Sequence, residues 1–91
     1  MITFDPAKSE RNRALRGLPF ELANEFEFET AVINEDTRFA YPEVRYLATG
    51  MLRGVLCSMV FSRLPNGFRV ISLRKASRKE RHRWHANQIP G

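Results

Sequence analysis

Val55-Leu56-Cys57-Ser58-Met59-Val60-Phe61 is followed by Pro65-Asn66-Gly67 and then by Phe68-Arg69-Val70-Ile71-Ser72-Leu73-Arg74. The first run is almost continuously apolar and strand-sized. It predicts a central strand buried on both faces. Pro65-Asn66-Gly67 predicts a tight turn, with Asn-Gly suited to positive φ. Phe68 to about Arg74 is then the next strand. Upstream, Val44 to Thr49 reads as a strand closed by Gly50. Short connections join these three runs, so an antiparallel meander is the simplest topology. Along the last strand, simple alternation places Arg69, Ile71 and Leu73 on one face and Val70, Ser72 and Arg74 on the other.

Working toward the N-terminus, Ala31-Val32-Ile33 reads as a short strand and Asn34-Glu35-Asp36-Thr37 as a turn. Pro19 opens a helix to about Phe26, with Phe20, Leu22, Ala23 and Phe26 facing the core. Before it, Asp5 as N-cap and Pro6 as first helical residue start a polar helix to about Arg16, stopped by Gly17. Met1 to Phe4 predicts an edge strand. Working toward the C-terminus, Ser77-Arg78-Lys79-Glu80 is a capping box that starts a helix to about Asn87, and Ile89-Pro90-Gly91 is a tail. The expected fold class is α+β: helices against one face of an antiparallel sheet, in one domain spanning residues 1–91.

Charge divides the chain. The net charge is +5, yet residues 1–17 carry +2, residues 18–43 carry −6 and residues 44–91 carry +9, where Glu80 is the sole acid. Twelve of the fifteen basic residues are Arg, whose planar fork suits phosphate, so a polyanion is the expected partner of the basic half. A basic surface that is merely solvated is the bland alternative. No run approaches the length of a membrane span, and the first residues lack the basic and apolar regions of a signal peptide. A single cysteine, Cys57, excludes an internal disulfide framework and a Cys-based zinc knuckle, and it points to a reducing, cytoplasmic setting.

No metal and no organic cofactor is expected. His82 and His85 share a helix face without a nearby third ligand, and Cys57 lies in the most apolar strand. A Gly-rich phosphate loop and a G-x-S-x-G elbow are both absent. What remains is the basic set. Arg74, Lys75, Arg78, Lys79, Arg81 and Arg83 fall within ten residues, and Arg45 sits on an upstream strand. A strand holds an Arg more rigidly than a loop does, as a transition-state clamp requires. RNA brings its own nucleophile, the 2′-hydroxyl. Cleavage then needs a base, cations for the phosphorane and an acid, which Arg, Lys and one or two carboxylates can supply without metal. Glu43, Glu80 or a terminal His is the candidate acid or base, although the capping box already accounts for Glu80.

Three stretches carry a family resemblance. Phe4-Asp5-Pro6-Ala7-Lys8, Asn12 and Gly17-Leu18-Pro19-Phe20 form the first. Glu35-Asp36-Thr37-Arg38, Tyr41-Pro42-Glu43-Val44-Arg45-Tyr46 and Gly50 form the second. Val70-Ile71-Ser72-Leu73-Arg74-Lys75-Ala76-Ser77-Arg78-Lys79-Glu80-Arg81 is the third and most specific. Together they resemble the BrnT family of toxins. The resemblance implies a RelE-like α+β fold and a type II ribonuclease toxin. It also implies a cognate BrnA-like antitoxin that neutralises the toxin and contacts DNA in an autoregulatory complex. Carried over by position, Arg45, Arg74 and Arg81 are expected to bind phosphate, with Glu80 in the catalytic set. Lys8, Arg16, Lys75 and Arg78 are expected to contact RNA. Leu15-Arg16 stands where the family has Lys-His, Phe4 where it has Trp and Pro19 where Ser is common. An Arg at position 16 is no acid near neutral pH. A catalytically weak or inactive relative that binds antitoxin or nucleic acid is therefore the alternative.

Overall fold

The computed structural model describes residues 1–88; the tail expected at Ile89-Pro90-Gly91 lies outside them. Strand β1 (Ile2–Thr3) leads into helix α1 (Pro6–Arg16), and β2 (Val32–Glu35), β3 (Tyr46–Leu52), β4 (Val55–Leu64), β5 (Gly67–Lys75) and α2 (Arg78–Gln88) follow. The strands form one five-stranded sheet in the order β1-β5-β4-β3-β2. The β3-to-β5 part is the expected antiparallel meander and β2 pairs antiparallel with β3, but β1 runs parallel to β5, so the sheet is mixed. No helix among the described residues is long and apolar enough to cross a membrane.

The local signals around α1 act as read. The Asp5 carboxylate accepts from the Ala7 N–H at 2.9 Å, and Gly17 ends the helix at φ 69°. The segment after Pro19 is a 3₁₀-helix, Phe20–Glu25, rather than an α-helix. Its buried residues Phe20 and Ala23, and the buried Phe26 that caps it, are three apart, and a helix of three residues per turn aligns that spacing on one side. They pack against Ala48, Leu52, Cys57, Met59, Phe61, Val70 and Leu73, which make one face of the sheet the main core.

Three strand expectations change. Asn34 and Glu35 belong to β2, not to a turn. Strand β3 starts at Tyr46 rather than Val44, so Arg45 is not strand-borne, because the preceding loop closes on its carbonyl. The strand runs past Gly50 to Leu52 and turns through Arg53 and Gly54, at φ 50° and 77°, as a two-residue hairpin favours. Gly50 sits inside the strand because a Cβ there would lie 2.9 Å from Phe26 Cζ. In the second hairpin Leu64 pairs with Gly67, leaving Pro65-Asn66 as the turn. Asn66 keeps a negative φ, since Pro65 presets the first turn position and excludes the primed geometry.

The largest departure lies in β5. Val60 pairs with Ser72 and Phe61 with Val70, so Ile71 is an extra residue, a β-bulge. Simple alternation fails across it. Val70 joins Leu73 in the core, while Ser72 and Arg74 stay opposite Val60 and Ser58 on the other face. Helix α2 lies on that second face, where Glu80 bonds Ser58, so the helices cover both faces rather than one. The first face is already filled by the aromatic N-terminal segment.

Candidate functional site

The second face carries Thr49 on β3, Ser58 on β4 and Arg74 on β5 in one cross-strand row. Thr49 Oγ1 and Ser58 Oγ are 2.9 Å apart, and Ser58 donates to Glu80 Oε1 at 2.8 Å. Glu80 closes the expected capping box: the Ser77 N–H donates to Oε1 at 2.8 Å, and the Glu80 N–H donates to Ser77 Oγ at 3.2 Å. Arg74 adds a fork, Nη1 to Oε1 at 2.7 Å and Nη2 to Oε2 at 2.9 Å. These hydrogen bonds, above all those from Arg74, outweigh burial and hold the Glu80 carboxyl at about 2. Glu80 is thus a buried, saturated anion near neutral pH.

The fork leaves one side of Arg74 free. Nη1 reaches Glu80 and the Lys75 carbonyl oxygen, and one Nη2 hydrogen reaches Glu80. Among the described residues, Nε–H and the second Nη2–H take no acceptor, and they lie along one edge suited to a phosphate. Arg74 lines a cleft of about 350 Å³ with Arg16, Leu18 and Lys75. The Arg74 proton is held by Glu80, against burial and the positive charge of nearby Arg38.

Further along this face, Arg69 pairs with Ser62, while Arg45 lies just before β3. Arg45 leads out of a loop that Asp36 organises. The Asp36 N–H donates to the Arg45 carbonyl oxygen at 2.7 Å and closes the loop's neck. The Asp36 carboxylate accepts from Arg38 Nε and Nη2, both at 2.8 Å, and from the Tyr41 hydroxyl at 3.2 Å. Those bonds, led by the Arg38 side chain, hold Asp36 at about 2 despite its burial. The Arg45 guanidinium lies 4.2 Å from the Tyr41 ring centroid and donates to Glu43 Oε1 at 2.9 Å.

The structure therefore joins Arg74 and Glu80 on the second sheet face, sets Arg16 and Lys75 beside Arg74, and leaves Arg45 in the loop that precedes β3, against Tyr41 and Glu43. Arg81 lines a different cleft, of about 420 Å³, with Trp84, His85 and the β3–β4 hairpin. Lys8 and Arg78 are exposed on α1 and the first turn of α2 and line neither cleft. Thr49, Ser58, Asp36, Arg38 and Tyr41 escaped the residue-by-residue reading. Ser58 carried a signal: a hydroxyl inside an apolar strand must find a partner.

A family model described as ribonuclease toxin, BrnT, of type II toxin-antitoxin system matches residues 4–80. That span includes Arg45, Arg74 and Glu80, and Arg81 falls just beyond it. No curated protein and no solved structure matches the chain. Such a toxin has an antitoxin as its partner. The motifs first read as a resemblance thus coincide with a match over most of the chain, which belongs to the BrnT family of type II toxin–antitoxin ribonuclease toxins.

Proposed function

We propose that this chain cleaves RNA without a metal ion, using the arginines of the second sheet face. The observation that carries this is the free edge of Arg74, held rigidly by buried Glu80 on the second sheet face. Arg74 and Arg45 contact the scissile phosphate and stabilise the phosphorane. Arg16, Lys75, Lys8 and Arg78 extend the basic surface along the RNA. Arg81, expected in the catalytic set, acts from the neighbouring cleft as a contact to the RNA backbone.

The two candidate bases differ. Glu80 has a pKa near 2 and both oxygens bonded, so it acts as a positioning residue for Arg74. Glu43 is half-exposed and accepts only from Arg45, at Oε1, which leaves Oε2 to accept a proton. Glu43 takes the 2′-hydroxyl proton, the 2′-oxygen attacks phosphorus, and the 5′-oxygen leaves with a proton from water. A 2′,3′-cyclic phosphate and a 5′-hydroxyl result. The same reading makes the chain one cytoplasmic, RelE-like domain. A BrnA-like antitoxin covers its basic face and supplies the DNA contacts of the shared complex.

Purified protein is incubated with single-stranded RNA in EDTA, and product ends are identified. The expected result is cleavage to cyclic phosphates, reduced about 10²–10³-fold by Arg74→Ala or Arg45→Ala in folded protein. Cleavage that needs an added divalent ion, or folded variants as active as wild type, would overturn the assignment. Leu15-Arg16 in place of Lys-His favours the second reading, a binding-only relative. Salt-dependent RNA binding with no cleavage would establish it.

A further inference from the structure

Resting on the reading of this chain as an RNA-cleaving enzyme, we infer that the loop of residues 36–45 holds a nucleobase-stacking subsite, with Phe39 as its platform. A lone exposed Phe is ordinary, but the surroundings of this one are not. Phe39 is 69% exposed and stands edge-on to Tyr41, with ring centroids 5.9 Å apart. Tyr41 in turn carries the Arg45 guanidinium on its ring, and its hydroxyl is fixed by Asp36. The same buried carboxylate fixes Arg38 through its main-chain and side-chain N–H groups. Tyr41 is therefore held between Arg45 and Asp36, and Phe39 stands against this fixed ring, with Arg38 fixed on the same carboxylate. The loop walls a cleft of about 420 Å³ that includes Phe39, Tyr41, Glu43 and Arg45.

Aromatic faces beside cations are how proteins hold unpaired bases: the ring stacks on the base while the cations take flanking phosphates. The ligand class is thus an unpaired base of single-stranded RNA, next to the phosphate that Arg45 contacts. A stack on Phe39 tolerates any base by its π-face, and the cleft wall then decides which base fits.

The test uses the full chain and RNA that cannot be cut: a 2′-O-methyl octa-adenylate and the same backbone without bases, compared by fluorescence anisotropy. Wild type should bind the base-bearing strand about 5- to 100-fold more tightly, the range expected for stacking. Phe39→Ala should abolish that ratio and leave affinity for the abasic strand unchanged. Phe39→Leu should lose most of it, and Phe39→Trp should restore it. A ratio near one in wild type, or one kept by Phe39→Leu, would overturn the subsite. So would a Phe39→Ala variant that loses antitoxin binding while its base ratio stands, since the loop would then be the antitoxin's surface. A Phe39-dependent ratio in a chain that cuts no RNA would keep the subsite and reject the cleavage reading. Cleavage with no such ratio would do the reverse.

Discussion

Glu80 grips Arg74 end-on, Nη1 to Oε1 at 2.7 Å and Nη2 to Oε2 at 2.9 Å, and so turns the free edge of the guanidinium outward. Glu80 is 8% exposed, and its carboxylate accepts two further hydrogen bonds, from the Ser58 hydroxyl and the Ser77 N–H. A flexible surface cation becomes a fixed donor pair.

Two variants separate charge from shape at this pair. Arg74→Lys keeps the charge but loses the fork, so cleavage should fall nearly as far as in Arg74→Ala. Glu80→Ala leaves Ser58 and Arg74 without their acceptor, and it should cost about 2–4 kcal/mol in urea unfolding. A Glu80→Ala protein that matched wild type in both stability and cleavage would contradict the anchoring role.

Acid should weaken the fold. Asp36 and Glu80 are both held at about 2 when folded, below ordinary carboxylate values of about 4. A depressed folded pKa stabilises above the unfolded pKa, and that stabilisation is lost as pH falls. The loss should run from about pH 4.5 to about pH 2. Thermal melts across that range check it: the double variant Asp36→Asn with Glu80→Gln should show a flatter decline than wild type.

Gly50→Ala tests the crowding of the first face. The added Cβ would meet Phe26 Cζ at 2.9 Å, Ala31 Cβ at 3.0 Å and the Glu27 carbonyl oxygen at 3.2 Å. Overpacking of this kind should cost about 1–3 kcal/mol, read as a lower melting temperature. An unchanged melt would mean that the 3₁₀ segment yields freely.

Cys57 should be inert. It is fully buried, and burial raises its thiol pKa against the opposing pull of Lys75. A thiol reagent should label native protein only as fast as it unfolds, and denatured protein at once. Rapid native labelling would show that β4 opens locally.

Local chemistry was legible in the sequence. Asp5-Pro6 and Gly17 bounded α1, Ser77 and Glu80 formed their box, and the apolar run 55–61 lay at the centre of the sheet. Each depends on contacts a few residues apart, which residue types alone decide. The motifs around Arg45 and Arg74 also placed the chain in its family. Long-range pairing decided the rest. Which face α2 covers depended on what already filled the other. The direction of β1 depended on β5, and the bulge at Ile71 sent Val70 into the core while keeping Arg74 outside. The loop of Arg38, Tyr41 and Arg45 is gathered by Asp36, whose N–H also ties its neck to the Arg45 carbonyl beside β3. Alternation and propensity act along the chain, whereas a buried carboxylate selects its partners through space.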